Sequence, residues 1–174
     1  MKRFLPAIPL IVLVVLGILF ATFALNRQVR YSPDVLVGKP MPALTLPSLV
    51  SGEPIPLASL VDRPVLINYF ASWCPPCIVE HPNLMALKAR GVRIIGVAYK
   101  DDPAATRGFL ERHGNPFDAV IVDREGLAGI EFGVTAPPET FLVGKDRMIV
   151  SKQIGAIETP AQMEGLLRQV LAAR

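Results

Sequence analysis

Residues 64–77 read PVLINYFASWCPPC, and this stretch decides the expected fold. Its first half, Pro64–Phe70, is rich in Val, Ile and aromatic residues, which is typical of a strand buried on both faces of a sheet. Its second half contains the only two cysteines of the chain, Cys74 and Cys77, separated by two prolines. The stretch therefore predicts a central strand that leads directly into the N-terminus of a helix carrying a Cys-x-x-Cys pair.

The elements around this stretch predict a mixed sheet covered by helices on both faces. The helix after the cysteines continues to Arg90, and Gly91 ends it. Hydrophobic and turn patterns then predict a strand at Val92–Ala98, a helix at Asp102–Arg112, a strand at Phe117–Val122, a helical turn at Leu127–Phe132, strands at Glu139–Val143 and Met148–Ile154, and a helix at Thr159–Ala172. Upstream, Ala43–Leu49 and Pro54–Leu57 predict a small hairpin. The order β-α-β-α-β-β-α indicates an α/β fold.

The last predicted helix is amphipathic. Thr159 fits its N-cap and Pro160 its first position. The apolar side chains expected to face the core are Met163, Leu166, Leu167, Val170 and Leu171.

The N-terminal segment Phe4–Leu25 contains no charged residue and is long enough to cross a hydrocarbon core of roughly 30 Å. We expect a retained signal anchor, with a cleaved signal peptide or a buried core segment as the alternatives. Lys2 and Arg3, with the free amine, slightly outweigh Arg27 and Arg30 and so favour a cytoplasmic N-terminus. The predicted organisation is a membrane anchor at 1–26, a polar tether at 27–42 and one domain at 43–174.

The charge balance of the predicted domain gives no reason to bind nucleic acid. The chain has a formal net charge of +3, but four of its basic residues flank the apolar N-terminal segment. From Tyr31 onward there are 14 basic and 15 acidic residues. An apolar content of 51% excludes a disordered chain, and two cysteines are too few for a disulfide-stapled miniprotein.

The spacing of Cys74 and Cys77 places their sulfur atoms within disulfide reach on one helical turn. At the first turn, Cys74 faces unpaired N–H groups and the positive end of the helix dipole, which favour its thiolate. We expect Cys77 to lie deeper and to be less exposed. Such a site can make and break a disulfide with little motion.

Two other interpretations of the cysteine pair stay open. A purely structural disulfide would close only a four-residue loop and would remove little chain entropy. A metal site for copper handling would use Cys74, Cys77 and His81, although zinc would lack a fourth ligand and the chain has no second Cys-x-x-Cys. A Cys-x-x-Cys beside a βαβ pattern is typical of thioredoxin-like redox proteins, so we expect a redox disulfide without a metal or an organic cofactor.

Five motifs between residues 36 and 160 are more discriminating than the cysteine pair: GKPMP (38–42), ASWCPPCIVEHP (71–82), GVAYKDD (96–102), GNPF (114–117) and GVTAPPETFLV (133–143). With them the chain resembles the CcmG/DsbE family, membrane-anchored thioredoxin-like proteins that supply reductant to cytochrome c maturation. It departs from the family at Thr135-Ala136-Pro137, where a Tyr-Gly-Ala run is more usual, and at Gly144-Lys145-Asp146, where an Asp-led turn is more usual. Both departures bear on the shape of the substrate groove.

The resemblance implies a role for several residues around the disulfide. Pro138 is implied to be the cis-proline that faces it, with a trans Pro-Pro turn as the alternative. Trp73 and the Pro137–Pro138 loop are implied to form the rim along which a substrate lies. Glu80 and Glu139 match acidic positions near the disulfide. A carboxylate opposes thiol ionisation and would make the pair a weaker oxidant; the alternative is that both are solvated surface charges.

The function implied by the resemblance is that of a periplasmic thiol:disulfide oxidoreductase on a single-pass inner-membrane anchor. Cys74 is the implied nucleophile and Cys77 the resolving cysteine. The implied partners are apocytochrome c or a cytochrome c maturation protein, and a membrane electron donor of the DsbD or CcdA type. A copper chaperone and a general disulfide oxidase or isomerase are the alternative functions.

Overall fold

The computed structural model describes residues 12–20 and 35–173. Residues 12–20 are helical (α1). Within these two ranges no helix is both long and apolar enough to cross a membrane. The other residues of the predicted anchor, Phe4–Leu25, lie outside the description, so the anchor stays a prediction.

A five-stranded mixed sheet forms the centre of the domain, in the order β5-β4-β3-β6-β7. The strands of this sheet and of the preceding small antiparallel sheet are β1 Thr45–Pro47, β2 Pro54–Pro56, β3 Val65–Phe70, β4 Arg93–Tyr99, β5 Ala119–Asp123, β6 Glu139–Val143 and β7 Ile149–Ile154. The central strand β3 pairs in parallel with β4 and antiparallel with β6. The end of β3 therefore lies beside the beginning of β6, which brings two distant parts of the chain to one end of the sheet.

Four helices follow β3: α2 Pro75–Ala89, α3 Pro103–His113, α4 Leu127–Glu131 and α5 Pro160–Ala172; a 3₁₀ turn at Leu57–Leu60 precedes it. Helix α3 begins where the Asp102 carboxylate accepts hydrogen bonds from the N–H groups of Ala104 and Ala105. Helix α5 begins at a reciprocal capping box between Thr159 and Gln162. These caps explain why both helices begin within a residue of the predicted positions.

Two hydrophobic clusters lie on the two faces of the sheet, because successive side chains of a strand point to opposite faces. Leu66 and Phe70 of β3 belong to the cluster that packs against α2, α3 and α5. Val65, Ile67 and Tyr69 belong to the other cluster, which includes the 3₁₀ turn and the residue after α4. The predicted architecture of a mixed sheet covered on both faces is confirmed.

Two details differ from the sequence-based expectations. Leu171 is 49% exposed and does not join Leu166, Leu167 and Val170 in the core, because it lies at the edge of the apolar face. Residues 38–41, in the predicted tether, hydrogen-bond to residues 147–149 at the start of β7. Backbone pairing thus begins before the predicted domain start at residue 43.

Candidate active site

Cys74 and Cys77 form a disulfide at the start of α2, with their Cα atoms 5.4 Å apart. Cys74 is the N-cap of the helix, and its Sγ accepts a hydrogen bond of 3.2 Å from the Cys77 N–H. This N–H and the helix dipole both stabilise negative charge on Cys74 in the reduced protein. The expectation that Cys77 is the less exposed cysteine is wrong, since each is 2% exposed.

The loop before the cysteines is held by the buried carboxylate of Asp101. Its oxygens accept hydrogen bonds from the Ser72 N–H and from the Ser72 hydroxyl, each at 2.7 Å, and from the Thr106 hydroxyl at 2.8 Å. Trp73 is 54% exposed, and its indole N–H donates to the Lys100 carbonyl at 3.1 Å. The segment after β4 thus fixes an exposed aromatic side chain directly beside Cys74.

Pro137 and Pro138 lie at the same end of the sheet as the cysteines. They precede β6, whose first residue, Glu139, pairs with Tyr69 near the end of β3. The Pro137–Pro138 peptide bond is cis, as the resemblance implied. The Pro138 carbonyl accepts a hydrogen bond from the Gly155 N–H at 3.0 Å, so the segment after β7 also contributes to this end of the molecule.

Glu80 is fully buried one turn after Cys77 in α2. Its Oε1 accepts a hydrogen bond of 2.8 Å from the Asn68 amide, and its Oε2 accepts one of 3.1 Å from the Ile157 N–H. The Asn68 amide also donates to the Thr140 hydroxyl at 3.0 Å. Burial raises the pKa of Glu80 to about 7, and the two hydrogen bonds oppose that rise.

Glu139 is also fully buried, but it contacts a cation. Its Oε2 lies 2.6 Å from the ammonium group of Lys152, and its Oε1 accepts a hydrogen bond of 3.0 Å from the Thr135 N–H. The charge of Glu139 also contributes, after burial itself and Asp123, to a raised pKa of Tyr69. The alternative that Glu80 and Glu139 are solvated surface charges is wrong for both residues.

His81 does not turn toward a metal site with the cysteines. Its Nε2 lies 2.8 Å from the Gly114 carbonyl, which requires a proton on that nitrogen, and its ring packs edge-on against Phe109. Burial lowers the pKa of His81. Among the residues that the structure describes, no three His, Cys, Asp or Glu side chains are grouped as metal ligands. The geometry therefore does not favour the copper-handling interpretation.

Three side chains that organise this site had no role predicted from the sequence: Asn68, Asp101 and Lys152. Asp101 lies within the YKDD motif, which marked the segment but not its hydrogen bonds to Ser72. Asn68 is the one amide side chain in the otherwise apolar and aromatic stretch PVLINYF. A polar side chain in a strand predicted to be buried was an available signal. Lys152 had no sequence signal, because its partner lies on a neighbouring strand.

Comparisons with known proteins agree with this geometry. The family model described as Redoxin matches residues 36–167. A Pseudomonas fluorescens biotype C protein named thiol:disulfide interchange protein DsbE is 36% identical, covering 100% of this chain and 94% of its own length. Thiol:disulfide interchange protein HelX of Rhodobacter capsulatus is 40% identical over 72% of each chain. A secreted Mycobacterium tuberculosis disulfide oxidoreductase homologous to DsbE superposes with a TM-score of 0.63 at 25% identity, covering 75% of this chain and 96% of its own.

Proposed function

The chain belongs to the DsbE/HelX (CcmG) family of thiol:disulfide interchange proteins and is a thiol:disulfide oxidoreductase, and on that premise we propose that it reduces disulfides during cytochrome c maturation. Its thioredoxin-like fold places one redox disulfide at a helix N-terminus. The observation that carries the proposal is the hydrogen bond from the Cys77 N–H to Cys74 Sγ, because it stabilises a nucleophilic thiolate.

The proposed reaction begins with the reduced protein. The Cys74 thiolate attacks one sulfur of a substrate disulfide, and the other substrate sulfur leaves as a thiolate. The Cys77 thiol loses its proton and attacks Cys74 Sγ in the mixed disulfide. The substrate sulfur that was bonded to Cys74 then leaves as a thiolate and takes up a proton. Two electrons pass to the substrate, and the protein retains the Cys74–Cys77 disulfide.

Trp73, Pro137 and Pro138 are proposed to contact the substrate polypeptide. Trp73 is exposed and fixed beside Cys74, and the two prolines precede the strand that pairs with β3. A rim built from both sides of the cysteine pair would orient a substrate disulfide for attack on its sulfur.

The proposed substrates are the Cys-x-x-Cys of apocytochrome c or a disulfide of a partner maturation protein. The proposed location is the periplasm, on a single-pass inner-membrane anchor formed by the apolar segment Phe4–Leu25. A membrane electron donor of the DsbD or CcdA type would return two electrons to the disulfide. No resident cofactor is proposed, since thiol exchange alone completes the cycle.

Substitution of Cys77 by serine tests the proposed substrates. Without the resolving cysteine, the Cys74 mixed disulfide persists and can be isolated from cells that produce c-type cytochromes. We expect apocytochrome c or a cytochrome c maturation protein to be trapped. The matched Cys74→Ser variant should trap neither of them. Recovery of unrelated proteins alone would contradict the proposed substrate range.

The reduction potential tests the proposed direction of electron flow. Equilibration of the full-length protein with glutathione should give a potential well below the roughly −120 mV of a strong oxidant. A value near that of a strong oxidant would instead favour a general disulfide oxidase.

A further inference from the structure

Lys152 is a surface-strand lysine whose ammonium group is buried. Its side chain is 4% exposed, although β7 is an edge strand of the sheet. The ammonium group lies 2.6 Å from Glu139 Oε2 and donates a hydrogen bond of 2.9 Å to the Gly133 carbonyl. It also lies 5.0 Å from the centroid of the Phe141 ring. The side chain therefore crosses the sheet surface to reach β6 and the segment before it.

The strand register explains this reach. Lys152 is directly opposite Phe141, and Glu139 is opposite Ile154. Lys152 and Glu139 are thus diagonal neighbours on one face of the sheet, a separation that a long side chain can bridge. The Phe141 ring, opposite Lys152, lies under the ammonium group at cation–π distance.

The two charged side chains bind the same short segment. Lys152 donates to the Gly133 carbonyl, and the Thr135 N–H donates to Glu139 Oε1. Residues 133–135 are therefore attached at both ends to the ion pair, and they lead directly into Pro137 and Pro138. The buried pair attaches this loop to the sheet, while the N–H groups of Gly133 and Val134 donate to the carbonyls of Ile130 and Gly129 and attach it to α4.

Stability alone does not explain a charge pair at this position. The exposed Arg90–Glu164 pair, with each side chain more than two-fifths exposed, is of the kind that contributes little. A buried pair loses hydration on both ions, and apolar residues of similar volume often replace such a pair without loss of stability. What an apolar pair cannot supply is a directed hydrogen bond to the Gly133 carbonyl.

We propose that Lys152 is a positioning residue for substrate binding: with Glu139 it holds residues 133–135, and through them Pro137 and Pro138, in the orientation that a polypeptide disulfide requires. The inference rests on the proposed contact between these prolines and the substrate. It does not depend on whether that substrate is a cytochrome c maturation protein.

A kinetic comparison of two disulfide substrates tests the proposal. The reduced full-length proteins, wild-type and Lys152→Met, are assayed with two substrates. One is a synthetic peptide that contains one Cys-x-x-Cys disulfide. The other is hydroxyethyl disulfide, a small molecule that is not a polypeptide. We expect Lys152→Met to raise KM for the peptide about tenfold while kcat is retained, because the weakened contact holds the bound peptide and its transition state equally. The rate with hydroxyethyl disulfide should stay close to that of the wild-type protein.

Three further variants separate positioning from folding. Lys39→Met removes an exposed lysine from the segment that hydrogen-bonds to residues 147–149 and should keep the wild-type KM. Lys152→Arg should restore most of the affinity, because it keeps a donor and a charge. The double variant Glu139→Gln with Lys152→Met leaves no unpaired buried charge, so it tests the proposal even if Lys152→Met does not fold. Its KM should stay raised, because the Gly133 carbonyl has still lost its donor.

Several results would overturn the proposal. A wild-type KM in the double variant, together with unchanged exchange of the Thr135 N–H, would mean that Lys152 only neutralises Glu139. An equal loss with both substrates would place the effect at the cysteines or on folding. Hydrogen–deuterium exchange is independent of substrate: the Thr135 N–H should exchange faster in the double variant than in the wild-type protein. Unchanged exchange there refutes the positioning role, whereas faster exchange with a wild-type KM refutes the proposed substrate contact instead.

Discussion

Glu80 and Glu139 are both fully buried near the active-site end of the sheet, yet they lie on opposite faces and in different electrostatic environments. Glu80 lies on the α2 face and, among the described residues, accepts hydrogen bonds only from the neutral groups of Asn68 and Ile157. Glu139 pairs in register with Tyr69, on the other face, and contacts the ammonium group of Lys152.

The family resemblance implied one electrostatic role for both glutamates, but their different environments indicate two roles. Burial raises the pKa of Glu80 to about 7, so this carboxyl group is close to its titration midpoint at neutral pH. The negative charge of Glu139 is compensated by Lys152 at 2.6 Å. We therefore expect Glu80 to affect the cysteines electrostatically and Glu139 to act mainly through loop position.

The largest expected difference between the two residues is in stability. Glu139→Gln leaves the Lys152 ammonium group buried without a carboxylate, which should cost about 3–5 kcal/mol of unfolding free energy. Glu80→Gln keeps one oxygen acceptor, leaves no unpaired ion and removes the cost of ionising a buried carboxyl group, so it should not lower the unfolding free energy at pH 7. Guanidinium unfolding of the oxidised full-length variants at pH 7 measures both values. Equal losses would show that Lys152 does not distinguish the two sites.

The second difference is in the pH dependence of stability. Between pH 4.5 and about 7 the unfolded chain loses the Glu80 proton while the folded protein keeps it, so this group lowers stability as pH rises. The contribution should reach about 3 kcal/mol above pH 7, where Glu80 is ionised in both states. The wild-type protein should therefore lose stability relative to Glu80→Gln over this range.

Unfolding free energies of the wild-type protein, Glu80→Gln and the exposed-site control Glu158→Gln, measured from pH 4 to pH 9, test this expectation. Subtracting the wild-type curve removes the contributions of the other carboxylates. A flat difference between Glu80→Gln and the wild-type protein would contradict a raised pKa for Glu80.

A smaller effect is expected at Thr140, which shares Asn68 with Glu80. Thr140→Val removes the hydroxyl that accepts the second Asn68 N–H and leaves that donor buried, at a cost of about 1–2 kcal/mol. The loss should be smaller than that of Glu139→Gln in the same unfolding assay, because no ion is left unpaired. A loss as large as that of Glu139→Gln would mean that the neutral network and the ion pair contribute equally.

The smallest expected effect is on the reactivity of Cys74. With the ionised carboxylate of Glu80 removed, Cys74 should ionise more readily, and Glu80→Gln should react with iodoacetamide about threefold faster near pH 8. Glu139→Gln should change this rate less, since Lys152 already compensates its charge. The reduced full-length proteins are compared from pH 5 to pH 10. An unchanged profile for Glu80→Gln would refute its electrostatic role.

The sequence predicted the site more completely where its signals were local. The strand into Cys74, the helix from Pro75 and the cap at Thr159 each depend on residues a few positions apart, and all three are confirmed. The exposure of Cys77 relative to Cys74 and the position of Leu171 were predicted wrongly. Both depend on what packs against the helix, which periodicity within one helix does not contain.

Local sequence patterns predicted the order of the elements and the cysteine pair at a helix N-terminus, and the motifs predicted the redox family by resemblance. What each buried carboxylate contacts depends on the tertiary packing. Glu80 accepts a hydrogen bond from Ile157, 77 residues away, and Glu139 on β6 contacts Lys152 on the neighbouring strand β7. The physical reason is that burial and charge compensation are set by neighbours in space, and the pairing of β3, β6 and β7 brings those neighbours together. Two glutamates that the sequence presented as equivalent are therefore an uncompensated acid and one half of an ion pair.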